Sequence, residues 1–160
     1  ACRADTHAAW SFGSDATSAG AYAVYAGNSE GRYAPTGSRK PNPWHLYDMH
    51  GNVSEWTMDQ FDAGFYGRSD SDNPWNPPTQ LYPRVVRGGS WLDPVEQLRC
   101  AARQPSAANW KERDPQIPKS QWWFTNAPFV GFRLVSPRTK PGAGEIERYW
   151  LEAFEDYGIE

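Results

Sequence analysis

Proline and glycine interrupt this chain so often that only one stretch, near the C-terminus, sustains a helical period for three turns. There Ile146, Tyr149, Trp150, Ala153, Phe154 and Tyr157 recur at i, i+3, i+4, i+7, i+8 and i+11, and Gly158 suits the residue just past a helix end. The spacing predicts an amphipathic helix whose apolar stripe must dock somewhere. Upstream the punctuation rules. Pro41-Asn42-Pro43 fixes the backbone before Trp44, because each proline locks φ and moves its predecessor away from helix. Between Phe61 and Pro83, four prolines, Gly64, Gly67, Asp70, Asp72 and Asn73 describe a long irregular surface loop.

Short strands fit the gaps. Arg84–Arg87 reads as a strand stopped by Gly88-Gly89, and residues 129–135 as another, with Val130, Phe132 and Leu134 on one face. A shorter strand is expected at residues 21–25, within a segment otherwise made of loops. With so little regular structure, something else must supply the core. Nine Trp, eight Tyr and seven Phe are available as anchors among 14 Gly and 14 Pro, and 160 residues suffice for one domain.

Several functions are disfavoured at once. A net charge of −3 with scattered Lys and Arg offers no basic stripe for phosphate backbones, so no nucleic-acid partner is expected. No apolar run approaches the roughly 18 residues of a membrane span, and the first residues carry no targeting segment. Ala1-Cys2-Arg3-Ala4 also holds no start signal, so the chain is expected to open partway through a larger unit. Cys2 and Cys100 stand near no histidine cluster, which argues against zinc and leaves a disulfide or two free thiols. Trp110, Trp122, Trp123 and Phe124, set among polar residues, either present stacking faces to a sugar or peptide or replace a sparse regular core.

Three phrases gain meaning in order: Asn42 to Trp56 (NPWHLYDMHGNVSEW), Arg84 to Trp91 (RVVRGGSW) and Gly131-Phe132-Arg133. Together they resemble the formylglycine-generating enzyme, or sulfatase-modifying factor, superfamily, whose hallmark runs GLYDM-GNVWEW, RGGSW, GFR. The opening residues look like the end of its EWEYACRAG segment. The resemblance implies an irregular α+β domain of low secondary-structure content, related to C-type lectins. It divides the chain into a partial domain at 1–137 and a linker with the C-terminal amphipathic helix at 138–160.

The same resemblance implies sites. Active enzymes hold Cu(I) between two thiolates that follow the GGS motif, a sensible choice for a soft metal. Here residues 91–99 contain no cysteine, so no copper is expected and the chain leans towards a pseudoenzyme. The iron-dependent sulfoxide synthases of the superfamily use a histidine-rich motif, which His7, His45 and His50 do not reproduce. Calcium is the cofactor the resemblance does imply, structurally, on Asp48, the carbonyls of Gly51 and Val53, and Glu55. Two carboxylates and two carbonyls within eight residues suit a hard cation, whereas the plainer alternative has Asp48 and Glu55 capping turns or pairing with arginines.

Cys2 and Cys100 match two cysteines bridged in some secreted members, and their pairing would staple the N-terminal segment. The family's ligand groove places Ser90, Asp93, Trp110, Trp122 and Asn126 near a bound peptide or carbohydrate. Likeness to secreted bacterial members, with the bridge, points outside the cytoplasm. The expectation is therefore a non-catalytic, calcium-stabilised binding module. The alternatives are a divergent oxygen-dependent oxidoreductase, of formylglycine-generating or sulfoxide-synthase type, with active-site parts elsewhere, and a remnant completed by a homodimer or another chain.

Overall fold

The structure is a computed structural model that describes residues 1–72, 74–111 and 126–147. Four strands form one small mixed sheet: β1 (Ser54–Gln60), β2 (Arg84–Arg87), β3 (Gln104–Pro105) and β4 (Val130–Gly131), in the order β3-β2-β1-β4. β1 and β2 run antiparallel, with Glu55 opposite Arg87 and Trp56 opposite Val86. Their next pair is Gln60 with Arg84, so four steps along β1 match two along β2. A bulge of this kind bends the strand and re-aims its side chains. β4 joins the other edge of β1 in parallel, Ser54 beside Val130 and Glu55 beside Gly131.

β2 behaves as its sequence predicts. Val85 and Val86 are both buried, at 2% and 0% exposure, and neighbouring strand residues face opposite sides, so protein covers both faces of the sheet there. It ends because Gly88 and Gly89 take φ of +89° and +68°, a region that side chains disfavour. Space matters too: a Cβ on Gly89 would lie 3.1 Å from a Leu98 methyl.

The core owes more to rings than to strands. Trp10, Ala23 and Leu98 are buried together, with Phe12, Tyr25 and Val95 packed against them. Phe12 stacks on Trp10 at 5.6 Å and on Tyr22 at 4.9 Å, and meets His50 edge-on at 5.3 Å. A disulfide joins Cys2 to Cys100, whose Cα atoms are 5.6 Å apart.

Two expectations change. Residues 21–25 are not a strand: Ala16–Ala21 is a 3-10 helix, and Val24 makes only an isolated bridge to Gly51. The Asn28 side chain explains this, since its Oδ1 accepts from the Tyr25 N–H at 2.9 Å and its Nδ2 donates to the Ala23 carbonyl at 3.0 Å. It thereby takes backbone groups that a neighbouring strand would need. The strand expected at 129–135 stops at Gly131, and Phe132 and Leu134 stand 74% and 86% exposed. Alternation alone makes no strand where the ladder finds no further partner among the described residues.

Near the C-terminus lies a short helix, α1 (Ala143–Ile146), where the Gly142 N–H donates to Glu145 Oε2 at 3.1 Å. Most of the expected apolar stripe, from Tyr149 to Tyr157, lies outside the described residues.

Candidate functional site

The turn from Asp48 to Val53 is built by backbone geometry. Asp48, Gly51 and Asn52 all have positive φ, at 55°, 75° and 64°. Gly51 cannot be replaced without cost, because a Cβ there would sit 2.1 Å from the Val24 carbonyl oxygen. That closeness lets the Asn52 N–H donate to the same oxygen at 2.7 Å. The Asn52 side chain then grips Ala34, accepting from its N–H at 2.9 Å and donating to its carbonyl at 3.2 Å. Both motif residues therefore assemble the fold.

The two carboxylates expected to hold calcium have other partners. Asp48 Oδ2 accepts from the Gly37 N–H at 2.8 Å. Glu55 is paired through both oxygens with Arg133, Nε to Oε2 at 2.8 Å and Nη2 to Oε1 at 2.6 Å. Arg133 Nη2 also donates to the carbonyls of Tyr47 at 3.1 Å and Asp48 at 3.2 Å. The Glu55 hydrogen bonds push the Arg133 pKa upward, with smaller Coulombic help from Glu55 and Asp48. As placed, both carboxylates of the expected calcium set are engaged by protein donors, and at Glu55 the donor is a guanidinium, a cation that would compete with the ion.

Cys2, His50 and Cys100 bring three ligand atoms within 4.8 Å of one another. The grouping is structural. Both sulfurs are spent in the disulfide, and the imidazole is used on both sides. His50 Nε2 accepts from the Ser11 N–H at 3.2 Å, which leaves Nδ1 to carry the proton and donate to the Leu98 carbonyl at 2.8 Å. Burial lowers the His50 pKa, against a smaller raising effect of the Leu98 bond.

A different place is open to a ligand. A pocket of about 300 Å³ is lined by Ser90, Leu92, Asp93, Gln104, Pro105, Trp110 and Phe129. Three of the five groove residues expected from sequence line it: Ser90, Asp93 and Trp110. Asn126 sits beside it, its N–H bonded to the Trp110 carbonyl at 3.1 Å, and Trp122 lies outside the described residues. Gln104, Pro105 and Phe129 arrive through sheet pairing, for which no local motif exists. Leu92 stands inside the stretch already singled out, and only its exposure marks it.

The pocket's chemistry centres on Asp93. Its Oδ2 accepts from the Ser90 N–H at 2.8 Å and the Ser90 hydroxyl at 2.6 Å, and its Oδ1 accepts from Gln104 Nε2 at 3.0 Å. Trp110 forms a wall, edge-on to Phe129 at 5.3 Å and tilted against Trp56 at 5.7 Å. The arrangement can bind through a fixed carboxylate and aromatic faces, and the chain's two cysteines lie elsewhere, bonded to each other.

With this geometry, residues 1–137 match the family described as the sulfatase-modifying factor enzyme 1-like domain. The chain belongs to that family. The formylglycine-generating enzyme of Streptomyces coelicolor is 42% identical over 59 residues, which is 37% of this chain and 18% of that enzyme. A serine/threonine-protein kinase, pkn1, of Chlamydia pneumoniae is 44% identical over 77 residues, 45% of this chain and 12% of the kinase.

Among solved structures, Treponema denticola variable protein 1 superposes with a TM-score of 0.60 at 23% identity, covering 82% of this chain and 41% of that one. PvdO from Pseudomonas aeruginosa gives 0.58 at 25% identity, with 82% and 46% covered. The chain thus spans less than half of either structure and under a fifth of these two curated relatives. The likeness to the Treponema protein speaks for the fold alone.

Proposed function

We propose that this sulfatase-modifying-factor-type domain is a binding module without catalysis of its own, and that its ligand seats in the pocket at Ser90, Asp93 and Trp110. One observation carries the reading. Where the resemblance to formylglycine-generating enzymes calls for two thiolates, the segment after the GGS motif offers a hydrogen-bonded carboxylate, Asp93, and both cysteines are committed to a disulfide. A hard carboxylate is a poor Cu(I) ligand, so the site favours recognition over oxygen-dependent chemistry. That a formylglycine-generating enzyme and a kinase each share part of this chain supports a unit used beside different activities.

The disulfide supports work in an oxidising compartment, outside the cytoplasm. No helix of the described residues is long and apolar enough to cross a membrane. The peptide or carbohydrate expected from sequence remains the ligand class of this reading, and calcium does not enter it. The experiment is incubation of the protein with Cu(I), oxygen and a cysteine-containing peptide, followed by mass spectrometry. The expected result is an unchanged peptide; conversion of its cysteine to an aldehyde would overturn the proposal and favour the oxidoreductase reading.

A further inference from the structure

Resting on the binding reading above, we propose that the Asp93 pocket selects a cationic ligand group, the guanidinium or ammonium of a basic peptide side chain. The first support is charge. Among the described residues lining the pocket, Asp93 is the sole charged one. Its three hydrogen bonds come from a backbone amide, a hydroxyl and a carboxamide, all neutral donors. These orient the carboxylate, and no cation among the described residues compensates its charge. Glu55 shows the contrast within the same molecule, since both its oxygens face a guanidinium.

The second support is the balance of donors and acceptors. Ser90 spends its hydroxyl proton on Asp93, and Gln104 spends an amide proton there too. The pocket's polar side therefore presents chiefly acceptors, the carboxylate oxygens and Gln104 Oε1, which an all-donor group satisfies and an anion does not. A neutral sugar would bring acceptors of its own to this acceptor-rich side and leave the charge unanswered.

The third support is the wall opposite. The rings of Trp110 and Phe129 lie edge to face at 5.3 Å, and aromatic faces attract cations as well as apolar groups. Leu92, half exposed, and Pro105 supply apolar surface for the methylene stem of a Lys or Arg side chain. A volume of about 300 Å³ is at the small end for ligand sites and suits one side chain.

The test compares N-acetyl-arginine amide with N-acetyl-citrulline amide, which replaces the guanidinium by a neutral urea of the same shape, and with methyl glucoside. Tryptophan fluorescence or NMR shifts report binding to the protein. The arginine compound is expected to bind at least ten-fold more tightly than the citrulline compound, with the advantage shrinking as salt rises. Asp93→Asn, checked for folding by its thermal melt, removes the advantage. Trp110→Leu, checked for folding in the same way, weakens the arginine compound.

If Asp93→Asn fails to fold, the wild-type comparison still decides. Equal binding of citrulline, or tighter binding of the glucoside, overturns the cationic preference and leaves the binding module standing. Silence from all three probes also overturns the preference. The copper assay judges the non-catalytic reading separately.

Discussion

Two carboxylates in this fold meet opposite fates. Glu55 is closed by Arg133, a residue 78 positions away, in a corner that also holds the Cys2–Cys100 disulfide and the bond from Arg87 Nη2 to the Cys100 carbonyl at 2.7 Å. Asp93 is held by Ser90 and Gln104, only 3 and 11 positions away, and no cation among the described residues meets it. Long-range ties made of charge and sulfur close the chain on itself, and the cleft of about 550 Å³ beside them is lined by groups already paired, Glu55 with Arg133 and Cys2 with Cys100. Short-range ties made of neutral donors fix a charged group while leaving it available. The motif-rich corner thus spends its charge and sulfur on structure, whereas the pocket keeps a carboxylate that no described cation meets.

The comparison breaks most directly at the disulfide. Cys100→Ser, or reduction of the wild type, releases a link spanning 98 residues and should cost about 2–5 kcal/mol in chemical denaturation, since the loop it closes is long. Asp93→Asn should cost far less stability, as befits the open half. If reduction left the denaturation midpoint unchanged, the corner would not be the tie that holds the chain.

Next in size is Arg133→Gln. Its partner's side chain is 23% exposed and its own 33%, so the pair lies between a surface bridge worth about 0–1 kcal/mol and a buried one whose breaking costs roughly 3–5 kcal/mol. A loss of about 1–2 kcal/mol is expected, and Glu55→Gln should lose a similar amount. Combined, the two should cost less than their sum, because each removes the same interaction. Additive losses would mean that the pair contributes nothing as a pair.

Below these stands a pH effect from His50, which belongs to the tied half through Ser11 and Leu98. Its pKa falls below the ordinary 6.5 on folding, mainly because burial disfavours the charged ring. The unfolded chain therefore binds the proton more readily, and stability must decline as pH drops below about 6.5 towards the lower folded value. Asp15 and Asp62 shift downward as well, but their ordinary value of 3.8 confines them to stronger acid. Denaturation at a series of pH values should show the decline near neutrality in the wild type and not in His50→Gln. A flat wild-type profile from pH 7 to 5 would show that the ring titrates normally.

Much of the tied half was legible in the sequence, and much of the open half was not. Gly88 and Gly89 were readable as the end of a strand, because a positive φ leaves few residue choices and the constraint is local, whereas Gly51 and Asn52 entered only through the family phrase and the structure supplied their backbone role. β2 was readable because Val85-Val86 is bounded by two glycines. β1 was not, since Ser54–Gln60 places polar residues on both faces and owes its strand to neighbours brought from distant parts of the chain, Arg84–Arg87 and Val130–Gly131.

Glu55 could be read as a metal ligand or as an arginine's partner, and only tertiary structure supplied Arg133. Ser90 and Asp93 followed from the motif. Gln104 and Phe129 reach the same pocket by sheet register, which no spacing in the chain encodes.

The smallest expected effect is the most discriminating, because it should be zero. If the Arg133 guanidinium is the resident cation of the Asp48–Glu55 turn, millimolar calcium or a chelator should leave the wild-type melting midpoint unchanged. Ligation elsewhere could not imitate that result, since any site on the native state raises stability by RT ln(1 + [L]/Kd), about 2.7 kcal/mol at a hundred-fold excess over Kd. Arg133→Gln turns the same experiment around. Once the guanidinium is gone, Glu55 and the carbonyls of Tyr47 and Asp48 form an acceptor set with no cation in it, the kind a hard ion prefers. Calcium should then recover part of the lost stability in this variant and none in the parent. A calcium shift in the parent that Glu55→Gln abolishes would place the ion ahead of the arginine and erase the distinction between the closed carboxylate and the open one.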